Sequence, residues 1–140
     1  MIAVDTGFLF ALADRHDAWH TRAMAHAASV AQGWITTWPV LTEACHLLQR
    51  SLGAKFAAAL MDDVAAGGMA VWPIDDAGQK RIPVLMRTYA LLPMDLADAS
   101  LVLLAEQLDH GQILTTDLRD FKTYRWKSRK PFRNLLETPP

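Results

Sequence analysis

Short apolar runs recur along this chain, each set off from the next by stretches of helical length. Ile2-Ala3-Val4 stops abruptly at Asp5, and Trp34-Ile35-Thr36-Thr37 leads to Pro39. Met69 to Ile74 is rich in strand formers, and Gln112 to Thr116 ends at Asp117. Between them lie helical patterns: Phe8 to Ala13, a stretch that follows Asp17 to about Ala31, and a helix opened by Pro39 that carries Val40, Glu43, Leu47 and Leu48. An alanine-rich helix runs from Gly53 to Gly67-Gly68, and another is capped by Asp75 and runs toward Tyr89, with Pro83 as an expected irregularity. The most apolar helix spans Met94 to Leu108, and Phe121 to Trp126 and Pro131 to Leu136 are read as a final strand or two. Helices alternating with short apolar strands specify an α/β sandwich with a mostly parallel central sheet flanked by helices. In such sheets the binding crevice lies beyond the carboxyl ends of the strands, where Asp5 and Asp117 are both expected.

With 140 residues, 51% of them hydrophobic, the chain is expected to form one domain over residues 1–140 with a full core. No uninterrupted apolar run reaches membrane length, and an acid stands at position 5, where a signal peptide would be basic and then apolar. A soluble protein of the cytoplasm, without membrane contact, is expected. The lone Cys45 excludes an intramolecular disulfide and a cysteine-based zinc site, and its apolar helical setting reads as core. The net charge of −1 hides an asymmetry: Arg119 to Arg133 carries +6, which leaves −7 for the remainder. A basic segment beside an acidic body suits a polyanion held against a site that carries bound cations.

Four acids read poorly as surface groups when taken together. Asp5 has a bland alternative as the cap of the first helix. Glu43 has Val40 and Leu47 at helical spacing and is expected on an apolar face. Asp95 reads as the N-cap of the Met94 to Leu108 helix, whereas Asp98 sits in that helix's first turn against Leu101 and Val102. Asp117 either opens a turn or joins the set, and Asp120 reads as a peripheral acid or an arginine's partner. Two carboxylates ~5 Å apart repel by about 3 kcal/mol at an effective dielectric of ~20, so four that converge demand a cation. All-oxygen ligands favour Mg²⁺ or Mn²⁺ over zinc. His16 and His20, near Asp14 and Asp17, read as a surface loop and a helix N-terminus, and Trp19, Trp34, Trp38 and Trp72 as core or dimer-interface residues. The segment with Arg119, Lys122, Arg125, Lys127 and Arg129, interleaved with Phe121, Tyr124, Trp126 and Phe132, is expected to hold RNA, with a solvated edge strand as its alternative.

Ile2-Ala3-Val4-Asp5-Thr6, Thr42-Glu43-Ala44, Ala97-Asp98-Ala99-Ser100-Leu101 and Leu114-Thr115-Thr116-Asp117, in that order across the chain, resemble the PIN-domain ribonucleases, and within them the VapC-like toxins of bacterial toxin-antitoxin pairs. The resemblance implies a PIN-like three-layer sandwich and an Mg²⁺- or Mn²⁺-dependent endoribonuclease, with Asp5, Glu43, Asp98 and Asp117 catalytic. It implies a site where Asp5, Glu43, Asp98 and Asp117 hold one or two divalent ions, with Thr6 and Thr116 supporting the acids and Asp95 a supporting or additional ligand. The mechanism expected from these residues has Asp5, Asp98 and Asp117 as the main metal ligands and Glu43 completing the outer shell or orienting the bound water. An RNA substrate, a homodimer and a cognate antitoxin are the implied partners. A haloacid-dehalogenase phosphatase needs an acid where Gly7 stands, and a receiver domain needs paired acids after the first strand. A catalytically silent PIN-like module that contacts RNA or protein is the remaining alternative.

Overall fold

The computed structural model describes residues 1–29 and 31–140. Five short strands form one wholly parallel sheet in the order β3-β2-β1-β4-β7: β1 (Ile2–Val4), β2 (Trp34–Thr37), β3 (Ala70–Trp72), β4 (Gln112–Leu114) and β7 (Arg133–Asn134). Central strands of a parallel sheet are covered on both faces and need continuous rather than alternating hydrophobicity. Ile2, Ala3 and Val4 meet that requirement, each at most 2% exposed. Ala3 pairs with both Ile35 and Ile113, and the ladder continues one step past the strand, where the Asp5 amide donates to the Leu114 carbonyl. That extra bond carries Asp5 just beyond the carboxyl end of the sheet.

Among the described residues seven helices flank the sheet: α1 (Thr6–Ala13), α2 (His20–Ser29), α3 (Trp38–Ser51), α4 (Ala54–Ala65), α5 (Asp76–Thr88), α6 (Leu96–Leu108) and α7 (Asp120–Thr123). The mostly parallel α/β sandwich expected from the sequence is the fold observed. The expected continuation of α2 to Ala31 passes through Val30, which lies outside the described residues. Helix α6 is nearly all core: every residue from Ala97 to Ala105 except Asp98 is buried, and the helix packs against β1 and β2. Thr37 caps α3 through its hydroxyl, Asp75 caps α5 and Asp95 caps α6. Helix α5 runs unbroken through Pro83 rather than breaking there, because Pro83 and Gln79 face outward, where the carbonyl that loses its amide partner meets water. Among the described residues no helix is long and apolar enough to cross a membrane.

The carboxyl-terminal segment departs from the expected strand pair. Asp120–Thr123 is helical, β5 (Arg125–Trp126) and β6 (Lys130–Pro131) form a small antiparallel hairpin, and only Arg133–Asn134 joins the main sheet. The hairpin turns through Lys127 and Ser128, both in the left-handed region with φ of 47° and 62°. Strand β4 stops at Leu114 rather than Thr116, so Thr115 and Thr116 lie in the loop that leads to Asp117.

Candidate active site

Asp5 serves at once as a helix cap and as a site residue. One oxygen accepts from the Thr6 amide at 2.7 Å, capping α1, and the other accepts from the Thr115 hydroxyl at 2.7 Å. Both oxygens are thereby fixed, and the residue is 6% exposed. Burial pushes its pKa up to about 6. The bonds from Thr115 and the Thr6 amide oppose that rise, and the charges of Glu43 and Asp117 add to it.

Thr115 is the hub of this corner. Its hydroxyl donates to Asp5 and accepts from the Asp117 amide at 3.0 Å. Its own backbone is clamped on both sides by Asn134, the chain's one asparagine, which accepts from the Thr115 amide at 3.2 Å and donates to its carbonyl at 2.9 Å. Thr116, the expected support, makes no hydrogen bond to the acids among the described residues. It packs against Gly7 so closely that a Cβ there would collide with the Thr116 hydroxyl. Asp117 also accepts from the amide of Asp120, the first residue of the short α7, at 2.9 Å. Burial raises its pKa, the Asp120 amide bond opposes this, and the Asp120 carboxylate adds to it.

Asp98 points from the first turn of α6 toward Tyr124, whose hydroxyl donates to it at 2.7 Å. Burial lifts the Asp98 pKa to about 7. The tyrosine bond resists that shift, while Asp95, Asp5 and Asp117 push the same way as burial. Tyr124 is itself raised, by burial and then by its bond to Asp98, so it stays a donor at any working pH. Replacing it by phenylalanine should raise the Asp98 pKa further. Tyr124→Phe is expected to shift any pH-rate profile to higher pH and to lower kcat by about 10–100-fold at neutral pH, the cost of losing a group that orients a ligand. An unchanged profile would remove Tyr124 from the site.

Glu43 is exposed rather than on the buried face expected for it, because α3 buries Val40, Leu41, Ala44 and Leu48 and position 43 falls beside that stripe. Crowding by the protein still raises its pKa first. The nearby Thr6 hydroxyl counters this, and the Asp95 carboxyl adds to it. Thr6 thus stands by Glu43, and Asp95 is both the cap of α6 and Glu43's neighbour.

Four acids from remote stretches therefore lie within electrostatic reach at the carboxyl ends of β1 and β4. The groups acting most strongly on Asp5 and Asp98 are neutral donors and other acids. Among the described residues, however, no three His, Cys, Asp or Glu side chains stand close enough together to form a metal site. Asp5 and Asp98 each accept from a neutral hydroxyl, that of Thr115 and that of Tyr124. The donor set itself fits a hard divalent cation: it is all oxygen, buried at Asp5, half-buried at Asp98, and mutually repulsive.

The basic segment is rearranged relative to expectation. Phe121, Tyr124 and Trp126 are buried and Phe132 is half-buried, so these rings do not offer faces to unstacked bases. Phe121 and Tyr124, Phe121 and Phe132, and Tyr89 and Tyr124 pack edge to face, which aims the Tyr124 hydroxyl at Asp98. Arg125 donates to the carbonyls of Lys122, Thr123 and Tyr124. Arg119 pairs with Asp120, Lys122 with Glu137 and Lys127 with Asp109, and all three cations stay well exposed, as does Arg129. His16 is exposed, and His20 opens α2 with Nδ1 2.7 Å from the Ala11 carbonyl oxygen. Cys45 is half-buried, and burial raises its thiol pKa, which makes it a poor nucleophile.

Thr115, Tyr124 and Asn134 are the residues that sequence reasoning missed. The solitary asparagine was the one local signal available, since Asn134 also accepts from the Leu136 amide in the turn that follows β7.

A family model described as the PIN domain matches residues 2–127. The crystal structure of Mycobacterium tuberculosis VapC20, described as a Sarcin-Ricin loop cleaving toxin, superposes with a TM-score of 0.77 at 22% identity, covering 84% of this chain and 90% of that one. A likeness at that identity shows a shared fold. No curated protein sequence matches.

Proposed function

The chain belongs to the PIN-domain family, and we propose that it is a metal-dependent endoribonuclease whose site is Asp5, Glu43, Asp98 and Asp117. The observation that carries this reading is the meeting of acids from four remote segments, Asp5 buried and Asp98 half-buried, with pKa values raised to about 6 and about 7. Folding tolerates such a cluster when a cation binds it. Bound Mg²⁺ or Mn²⁺ supplies charge neutralisation at the phosphodiester and acidifies a water molecule. Asp5, Asp98 and Asp117 hold the ion, with Asp5 fixed by Thr115 and Asp98 by Tyr124. Glu43, at the exposed rim with its pKa raised, is placed to orient the attacking water and take its proton. Exposed Arg119, Lys122, Lys127 and Arg129 supply phosphate contacts, with Arg125 shaping that segment.

The likeness to VapC20, described as a toxin, supports a finer reading as a toxin; a cognate antitoxin that silences it, a homodimer and a cytoplasmic setting are carried from the family resemblance. A silent binding module is the second reading, favoured by the absence of a preformed ligand triad among the described residues. Purified protein should cut RNA in millimolar Mg²⁺, stop in EDTA, and resume when Mg²⁺ is returned in excess. Cleavage undiminished by EDTA would remove the metal from the reaction, and no cleavage together with no Mn²⁺ affinity would favour the silent module.

A further inference from the structure

We propose that Trp38 is a stacking platform for an unpaired base of the RNA, seated beside the acid site; this rests on the ribonuclease reading above. Trp38 is 54% exposed and Leu96 46%, and the two line one recess with Pro39, Glu43, His46 and Asp95. The other tryptophans behave differently. Trp126 is buried, and Trp19, Trp34 and Trp72 pack against the core. An exposed indole that continues directly into the acids is therefore a surface with a use.

Its position is rigid. Trp38 opens α3 immediately after Thr37, a buried cap whose hydroxyl lies 2.6 Å from that of Ser100 on α6. The Trp38 carbonyl accepts from the Thr42 hydroxyl at 3.0 Å within the first turn of α3. A platform held in this way loses little entropy when a ring stacks on it.

Charge selects the occupant. Glu43 and Asp95 at the rim repel phosphate, whereas a base is flat and neutral and carries amino donors that carboxylates accept. The same acids argue against a second copy of this chain, since a two-fold contact centred on this recess sets acid against acid. The apolar part comprises little more than two exposed side chains, far below the roughly 800 Å² per partner of a standard protein interface. One nucleobase on Trp38, flanked by Leu96, fits this recess in size and chemistry. The scissile phosphate then lies toward Asp5 and Asp98, a short step along the strand.

The test measures anisotropy of a fluorescein-labelled single-stranded oligoribonucleotide in EDTA, where nothing turns over. Trp38→Ala should weaken binding about tenfold, while Trp38→Phe, which keeps a ring, should hold within about threefold of wild type. In Mg²⁺ the alanine variant's loss should fall in KM rather than kcat. Equal affinity of Trp38→Ala and wild type would overturn the inference. So would light scattering that shows Trp38→Ala monomeric where wild type is dimeric, with RNA affinity unchanged, because the surface then belongs to a second copy. A wild type that cuts RNA while Trp38→Ala behaves identically sinks the platform alone; a wild type that neither binds nor cuts RNA sinks the ribonuclease reading with it.

Discussion

Asp98→Asn should yield a folded protein whose RNA cleavage is slower by about 10²–10³-fold, the scale of removing one preorganised group that stabilises charge in a transition state. The amide keeps the shape of the side chain and an oxygen that can accept from the Tyr124 hydroxyl, so folding is spared. What is lost is one negative charge from a site whose work is to hold a cation. Asp5→Asn should cost at least as much, because Thr115 bonds both Asp5 and Asp117 and a side-chain amide at position 5 disturbs both. The two substitutions together should cost little more than either alone, since they disable one unit. Glu43→Gln, at the exposed rim, should cost less, about tenfold. Asp62→Asn, on the exposed side of α4, should leave cleavage unchanged. Activity in Asp98→Asn within about threefold of wild type would refute its place in the site.

The second large effect is on stability. In chelated protein, Asp5 and Asp98 have pKa values of about 6 and about 7, against an ordinary value of 3.8. A carboxyl whose pKa is raised by folding binds more protons in the native than in the unfolded state. Stability therefore falls as pH rises from about 4 through 7, and the penalty is complete above the folded-state values. For the fully buried Asp5 the shift corresponds to about 3 kcal/mol, or on the order of 10 °C in Tm for a domain of this size. Chelated protein should melt highest near pH 4.5 to 5, above the range of general acid denaturation, and lose about that much by pH 8. Millimolar Mg²⁺ should restore the loss at pH 8 and do little near pH 4.5, where the acids are protonated. Asp98→Asn should melt higher than wild type at pH 8 in EDTA and respond weakly to Mg²⁺. A melting temperature flat from pH 5 to 8 in EDTA would contradict the electrostatic account.

The fold was legible because its grammar is local. Continuous apolar strands such as Ile2-Ala3-Val4, a glycine after a helix, and caps such as Asp75 and Asp95 each declare themselves within a few residues. The last twenty residues resisted because β5, β6 and β7 have two residues each, too few to display a period. Glu43 and Asp98 stood out against apolar neighbours at helical spacing, whereas Asp5 and Asp117 stood out only as members of the set. Their supports could not, because the bond from Thr115 to Asp5 spans 110 residues and nothing local separates Thr115 from Thr116. Tyr124 was hidden by company: alternating with cations, it reads as a ring facing RNA, whereas the hairpin and α7 turn the rings inward and the cations outward. Glu43 was misplaced by one helical step, which was enough to exchange a buried face for the rim of the site.

A crystal structure of the protein with Mn²⁺, recorded at the manganese absorption edge, tests the central claim most directly. One anomalous peak, or two within a few ångströms of each other, should stand between the carboxylates of Asp5, Asp98 and Asp117, with Glu43 facing it and the Tyr124 hydroxyl still on Asp98. No peak there at millimolar Mn²⁺, or one bound only elsewhere on the surface, would mean that these acids meet without holding an ion.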